Sequence, residues 1–211
     1  MLLALKIILS VAISYLLGSI PTAYFFGRMK GIDIRQHGSG NIGATNAFRV
    51  LGKGPGTIVL LIDILKGVLA TALVSTVFGL EHVLYPVILG VVAVCGHNWT
   101  VLLNFKGGKG IATSLGVLIG LAIKIATIRP VLLITLLTWL GVFLWSGFVS
   151  LASLVAATIL PFVLILTNQP FEVISLGIIF CIFVVLRHQP NIKRLLSGKE
   201  NRVEFPFRKQ K

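Results

Sequence analysis

Long apolar runs, cut by short polar stretches, organise this chain. The runs fall near residues 3–26, 57–79, 84–103, 111–127, 131–146, 148–167 and 171–187. A membrane-crossing helix needs about 20 mostly apolar residues. The pattern therefore predicts an all-α integral membrane protein with about seven transmembrane helices in a single domain, 1–211. The runs at 111–127 and 131–146 are short for full spans. They read as a tight pair or as partly re-entrant, and five spans is the alternative count. The first run, MLLALKIILSVAISYLLGSIPTAYFFG, is longer than the apolar region of a signal peptide, with only Lys6 as a basic start. It reads as a first transmembrane helix.

The polar stretches carry most of the charge. Arg28, Lys30, Arg35, Arg49 and Lys53 separate the first two runs, and Lys106 and Lys109 separate the third and fourth. Arg187, Lys193, Arg194, Lys199, Arg202, Arg208, Lys209 and Lys211 follow the last. With seven helices these segments share one side and hold all but four of the 19 basic residues. Cytoplasmic loops are enriched in Lys and Arg. The expected orientation is an outside N-terminus and a cytoplasmic C-terminus.

Composition agrees with a bilayer protein. Charged residues make up 12%, against about 25% in soluble domains, and the mean hydropathy is +0.98. The net charge of +13 suits anionic lipid or a phosphorylated substrate. Nucleic acid is not expected, because no soluble platform is present to hold it. Cys95 and Cys181 sit in apolar runs as small core residues, too few for a metal site or disulfide framework. No internal repeat is evident.

Three polar clusters lie on the basic side. The first is HGSGNIGATNAFR, residues 37–49. Gly38, Gly40 and Gly43 spell G-x-G-x-x-G, and Asp63 follows Gly43 by twenty residues. A dinucleotide fingerprint needs a strand and a βαβ unit, whereas these flanks are membrane helices. The physics still transfers, because glycines let backbone N–H groups approach an anion. Ser39, Asn41, Thr45 and Asn46 add donors beside Gly40, and Arg49 adds a planar fork suited to phosphate. The alternative is an ordinary glycine-rich loop.

The second cluster, KGGKGIATS, spans Lys106 to Ser114. It lacks the first Gly and the Lys-Ser/Thr pair of a Walker A loop. Gly107, Gly108, Lys109 and Gly110 nonetheless open a helix and form a second candidate phosphate nest. The positive-inside bias accounts for the lysines but not for three glycines around them. The third cluster is RHQPNIKRLLSGKE, residues 187–200. Ile192, Leu195 and Leu196 have the spacing of a short interfacial helix. His188 is a candidate general base or phosphate donor beside Asn191, with a structural histidine as the alternative. Glu200 reads as a structural partner of the surrounding cations. Asp63 and Lys66, three apart inside the second run, read as an internal ion pair or as support for the site.

Asp33, Asp63, Glu81, Glu172, Glu200 and Glu204 are the six carboxylates. Two-metal phosphate chemistry needs several converging acids, and neither an aspartate-rich phosphotransferase motif nor a His-x-x-x-x-Asp pair is present. The expected site is an anion pocket without metal or cofactor. Three phosphate-friendly elements suggest more than one phosphate group.

Together GSGNIGATNAFR, FKGGKGIATS and RHQPNIKRLLSGKE, with DILKG at Asp63–Gly67 and GHNW at Gly96–Trp99, resemble the bacterial acyl-phosphate:glycerol-3-phosphate acyltransferase family (PlsY). The resemblance runs in order along nearly the whole chain. It implies seven membrane helices, an outside N-terminus and an active site at the cytoplasmic face of the bacterial inner membrane. It implies catalytic roles for Ser39, His188 and Asn191 and phosphate binding by Arg49. Acyl-phosphate binding falls to Gly107, Gly108, Lys109 and Gly110, and a structural role to Glu200. Gln189 and Pro190 stand where many members carry Arg and Glu, and Thr100 where they carry Pro. The implied reaction moves a fatty acyl group from long-chain acyl phosphate to the 1-hydroxyl of glycerol 3-phosphate. The expected partners are those two substrates and membrane lipid, with a monomer sufficient. The rival readings are an organic-phosphate transporter, which usually shows repeats and midplane helix breaks, and a small basic membrane scaffold.

Overall fold

Pro21 breaks the first apolar run. In the computed structural model, which describes residues 1–203, helix α1 covers Leu2–Ser19 and a separate short helix α2 covers Thr22–Met29. A proline pushes the preceding residue out of the helical region, and Ile20 adopts φ −59°, ψ 111°. The expected helix over 3–26 is therefore two helices. Helix α3, Ala44–Leu51, follows the first polar cluster. The next span, α4, begins at Lys53 and runs to Val77 through a π-helical segment at Leu69–Val74.

Helix α5 covers Leu84–Asn98 and gives way to a 3-10 turn at Val101–Leu103. Thr100 caps that turn, its hydroxyl accepting from Leu102 N–H at 3.2 Å and donating to Ser19 O at 2.6 Å. The hydroxyl ties the turn to α1, which a proline at this position could not do. Four helices complete the apolar set: α6 Ile111–Lys124, α7 Ile128–Ser146, α8 Val149–Leu166 and α9 Phe171–Arg187. A short helix α10, Gln189–Leu196, meets α9 at 62°.

Among the described residues, five helices are long and apolar enough to cross a membrane, or six if α9 and α10 count as one bent span. The expected count of about seven is not reached on length. Helix α6 has 14 residues, about 21 Å at 1.5 Å per residue, against about 30 Å of hydrocarbon. The basic residues Arg208, Lys209 and Lys211 lie outside the described residues, as does Glu204.

Membrane helices gain little from burying apolar groups against each other, so close packing of small residues carries the association. Gly18 of α1 lies against the Ala93 backbone of α5, and Gly96 of α5 lies against Tyr15 O. Gly67 of α4 and Gly116 of α6 face each other in the same way. A side chain at any of these positions would drive the backbones apart. The main core joins α5, α6, α8 and α9 through Val94, Val117, Leu121, Leu164, Leu176 and Phe180. A smaller core under the first polar cluster contains Ala23, Ile34, Ile42, Ala47, Leu51 and Val59. It holds that loop against α2, α3 and α4.

Candidate functional site

The first polar loop is built around a buried amide. Asn46, fully buried, accepts from Ser39 N–H at 2.9 Å and donates to His37 O at 3.1 Å and Ile34 O at 3.4 Å. Gly38 has φ +61°, and a Cβ there would strike Asn46 Oδ1, so a side chain has neither room nor a relaxed backbone. The expectation that Asn46 donates to phosphate is not met, because both ends of its amide are committed to shaping the loop. What the loop presents is its tip. Ser39, Gly40 and Asn41 line a cavity of about 350 Å³. Thr45 and Arg49, one helical turn apart on α3, are exposed and stand outside that lining.

The glycine loop before α6 departs from the expected nest. Gly108 N–H donates to His97 O at 2.9 Å and Gly107 N–H to Asn98 O at 3.2 Å. Their carbonyls accept from Arg187, whose Nε reaches Gly108 O at 3.0 Å and whose terminal nitrogen reaches Gly107 O at 2.8 Å. These two glycines permit tight packing on the end of α5, since a Cβ on Gly108 would strike the His97 ring. Their N–H groups are not free for an anion. Gly110, at φ +79°, turns the chain into α6. Lys109, between these glycines, lines the cavity.

The third cluster supplies the opposite wall. Pro190 sits in the first turn of α10, where its missing N–H costs nothing. The turn brings Asn191 under Lys109, whose Nζ donates to Asn191 Oδ1. Asn191 Nδ2 donates to Glu200 Oε1 at 2.6 Å. Glu200 also accepts from Ser150 at 2.9 Å and Arg194 at 2.7 Å. This carboxylate thus joins α10 to Ser150 of α8. Burial works against ionising Glu200, but the hydrogen bonds from Asn191, Arg194 and Ser150 hold its carboxyl below the ordinary value.

His188 is buried and does not itself line the cavity, although both of its chain neighbours do. Its Nδ1 lies 2.8 Å from Val184 O. A carbonyl only accepts, so Nδ1 carries the proton and Nε2 keeps the lone pair. Burial, with the nearby Lys109 charge, pushes His188 down to about 4, so it is neutral at pH 7. Burial also pushes Lys109 down to about 8; Glu200 opposes that shift, and Arg194, Arg187 and Arg49 reinforce it. The Arg49 contribution is the smallest of these, and Arg49 itself stands outside the cavity lining. Among the described residues, the cavity is a cationic hollow with the Glu200 carboxylate behind it.

Asp63 and Lys66 form the expected internal pair, 2.7 Å apart and almost fully buried. Lys66 also donates to Ile20 O at 2.8 Å, the carbonyl freed by the break before Pro21. Thr22 donates to Asp63 at 3.4 Å, and His97 Nδ1 stands 3.4 Å from Lys66 Nζ. The pair thus touches the side chain of His97, whose backbone carbonyl accepts from Gly108 N–H. Sequence reasoning did not assign His97 or Arg187. GHNW, just before the glycine loop, was the available signal for His97; nothing in the spacing marks Arg187.

The chain matches the sequence profile of the family described as glycerol-3-phosphate acyltransferase over residues 8–198. It is 46% identical to a glycerol-3-phosphate acyltransferase of Desulforudis audaxviator, covering 98% of this chain and 99% of that one. It is 42% identical to glycerol-3-phosphate acyltransferase 2 of Moorella thermoacetica, covering 93% and 97%. Two crystal structures of PlsY, an integral membrane glycerol 3-phosphate acyltransferase, share the fold. The glycerol 3-phosphate form has a TM-score of 0.85 at 39% identity, covering 94% of this chain and 96% of that chain. The lysophosphatidic acid form has a TM-score of 0.82 at 38% identity, covering 94% and 95%.

Proposed function

The chain belongs to the glycerol-3-phosphate acyltransferase family, and from that premise we propose that it transfers a fatty acyl group from acyl phosphate to the 1-hydroxyl of glycerol 3-phosphate. The products are 1-acyl-glycerol 3-phosphate and inorganic phosphate, in the first acylation of phospholipid synthesis. The observation that carries this reading is the convergence of all three polar clusters on one cationic cavity, with Ser39, Lys109 and Asn191 in its wall. Membership of an acyltransferase family removes the transport reading.

The hydroxyl attacks the acyl carbonyl directly. The C–O bond to phosphate breaks as the new ester forms, and phosphate is already a good leaving group. Positioning and charge neutralisation then supply most of the rate. Lys109 and Arg49 neutralise phosphate. Ser39 and Asn191 orient the alcohol and the carbonyl, with Gly40 and Asn41 beside them in the lining and Thr45 further out on α3. The hydroxyl proton passes either to Nε2 of His188 or to a phosphate oxygen. His188→Gln separates these routes: an unchanged pH–rate profile with substantial rate removes His188 as the base.

The seven apolar helices, the short α6 among them, lie in the inner membrane with the N-terminus outside and the cavity at the cytoplasmic face. A single copy of the chain suffices. The experiment compares palmitoyl phosphate with a palmitoyl thioester as donor, with glycerol 3-phosphate as acceptor and the product read by mass spectrometry. Lysophosphatidate from the phosphate alone supports the proposal; product from the thioester alone contradicts it.

A further inference from the structure

Arg187 ends helix α9 and has no part in the reaction as described above. A guanidinium carries five N–H donors in one plane. Two are committed, to Gly107 O and Gly108 O at 2.8 and 3.0 Å, and the group lies over the Trp99 ring, 5.8 Å from its centroid. These contacts fix the plane of the guanidinium. The other three N–H groups have no partner among the described residues, and the side chain lines the cavity.

The clamp also orients the loop. In a planar trans peptide a carbonyl and the next N–H point in opposite directions. Arg187 on Gly107 O therefore directs Gly108 N–H toward His97 O, where it is found at 2.9 Å. The same grip on Gly108 O sets the peptide that carries Lys109. Arg187 thereby holds Lys109 in register with Asn191.

A lipid-facing stripe leads to this point. Ile178, Ile182 and Leu186 repeat every fourth residue on α9 and are 46–50% exposed, and Leu186 also lines the cavity. An alkyl chain lying along that stripe ends at Arg187. Of the two substrates in the reaction proposed above, on which this inference rests, only the acyl phosphate has such a chain.

We propose that Arg187 binds the phosphate of the acyl-phosphate donor with its free N–H groups while its other two clamp the glycine loop, so that donor binding and loop order are coupled. A lysine keeps the charge but offers a single point, and cannot bridge two carbonyls and a phosphate in one plane.

The test uses the full chain in lipid or detergent, wild type against R187K, with separate KM values for palmitoyl phosphate and glycerol 3-phosphate. The KM for palmitoyl phosphate is expected to rise about tenfold or more, from loss of charge-assisted contacts, with the glycerol 3-phosphate KM within about threefold. An equal rise in both, or no rise, overturns the role of Arg187. Wild-type protein that transfers nothing from palmitoyl phosphate overturns the reaction itself, a separate result. Should R187K not fold, phenylglyoxal modification of the wild type gives the same answer. Hexadecyl phosphonate is expected to slow modification of Arg187 several-fold and glycerol 3-phosphate is not; no protection by the phosphonate overturns the proposal.

Discussion

Lys109 and Asn191 stand 82 positions apart in sequence, yet the ammonium of one donates to the amide oxygen of the other in the cavity wall. The same amide donates to Glu200 at 2.6 Å. Asn191 therefore sits between a cation and an anion and can satisfy both only in one orientation. Asn191→Ala removes both contacts. Hydrogen bonds to charged groups contribute about 1.5–3 kcal/mol each. A loss of about ten- to hundredfold in kcat/KM is expected, while Asn191→Asp, which sets a carboxylate against Glu200, should be worse. Steady-state kinetics on the two purified variants checks the order.

The Lys109 charge should shape the alkaline limb of the pH profile. With its value lowered to about 8, the ammonium is present below that pH and lost as pH rises through it. The kcat/KM for acyl phosphate is expected to fall above about pH 8. Lys109→Arg keeps its charge throughout this range and should abolish that limb, even if the maximum rate drops. A limb that stays in place would assign it to another group.

Gly108 is fixed by contact with His97, so Gly108→Ala should displace the loop. Overpacking costs about 1–3 kcal/mol, read as a lower midpoint in a thermal unfolding scan, with activity falling further than stability. Removing the obstruction in Gly108→Ala/His97→Ala should recover part of the midpoint. A double variant no better than the single would show that the clash is not the cause.

The buried Asp63–Lys66 pair, 2.7 Å apart, predicts a thermodynamic cycle. Breaking one side of a buried pair costs about 3–5 kcal/mol, whereas replacing both sides can be nearly neutral. Lys66→Met should therefore destabilise the protein more than Asp63→Asn/Lys66→Met. Unfolding midpoints of the three proteins in one detergent decide it.

The helical membrane fold was legible because apolar run length is a direct signal of it. The limits of the last three runs agree with α7, α8 and α9 to within three residues. The break at Pro21 is written in the chain, but a proline near a membrane helix end is often tolerated, so the pattern alone predicts a continuous run. The three clusters were visible as departures from an apolar background, and the cavity does unite them. What each residue does there was not visible. Asn46 looks like any loop donor until it is found fully buried with its amide committed. Gly107 and Gly108 look like an anion nest until their N–H groups are found on Asn98 and His97. Arg187 looks like one more cytoplasmic charge until it is found on two carbonyls 79 and 80 positions away. These roles depend on contacts between distant segments, which local pattern does not encode.

In the proposed reaction the cavity joins an acyl phosphate to glycerol 3-phosphate. The deciding measurement is phosphate release from palmitoyl phosphate by the purified protein, with and without glycerol 3-phosphate. Release that requires glycerol 3-phosphate, matches lysophosphatidate mole for mole and is lost in Arg49→Ala is the expected result. Folded protein in lipid that releases no phosphate, or releases it equally without the acceptor, would contradict the account.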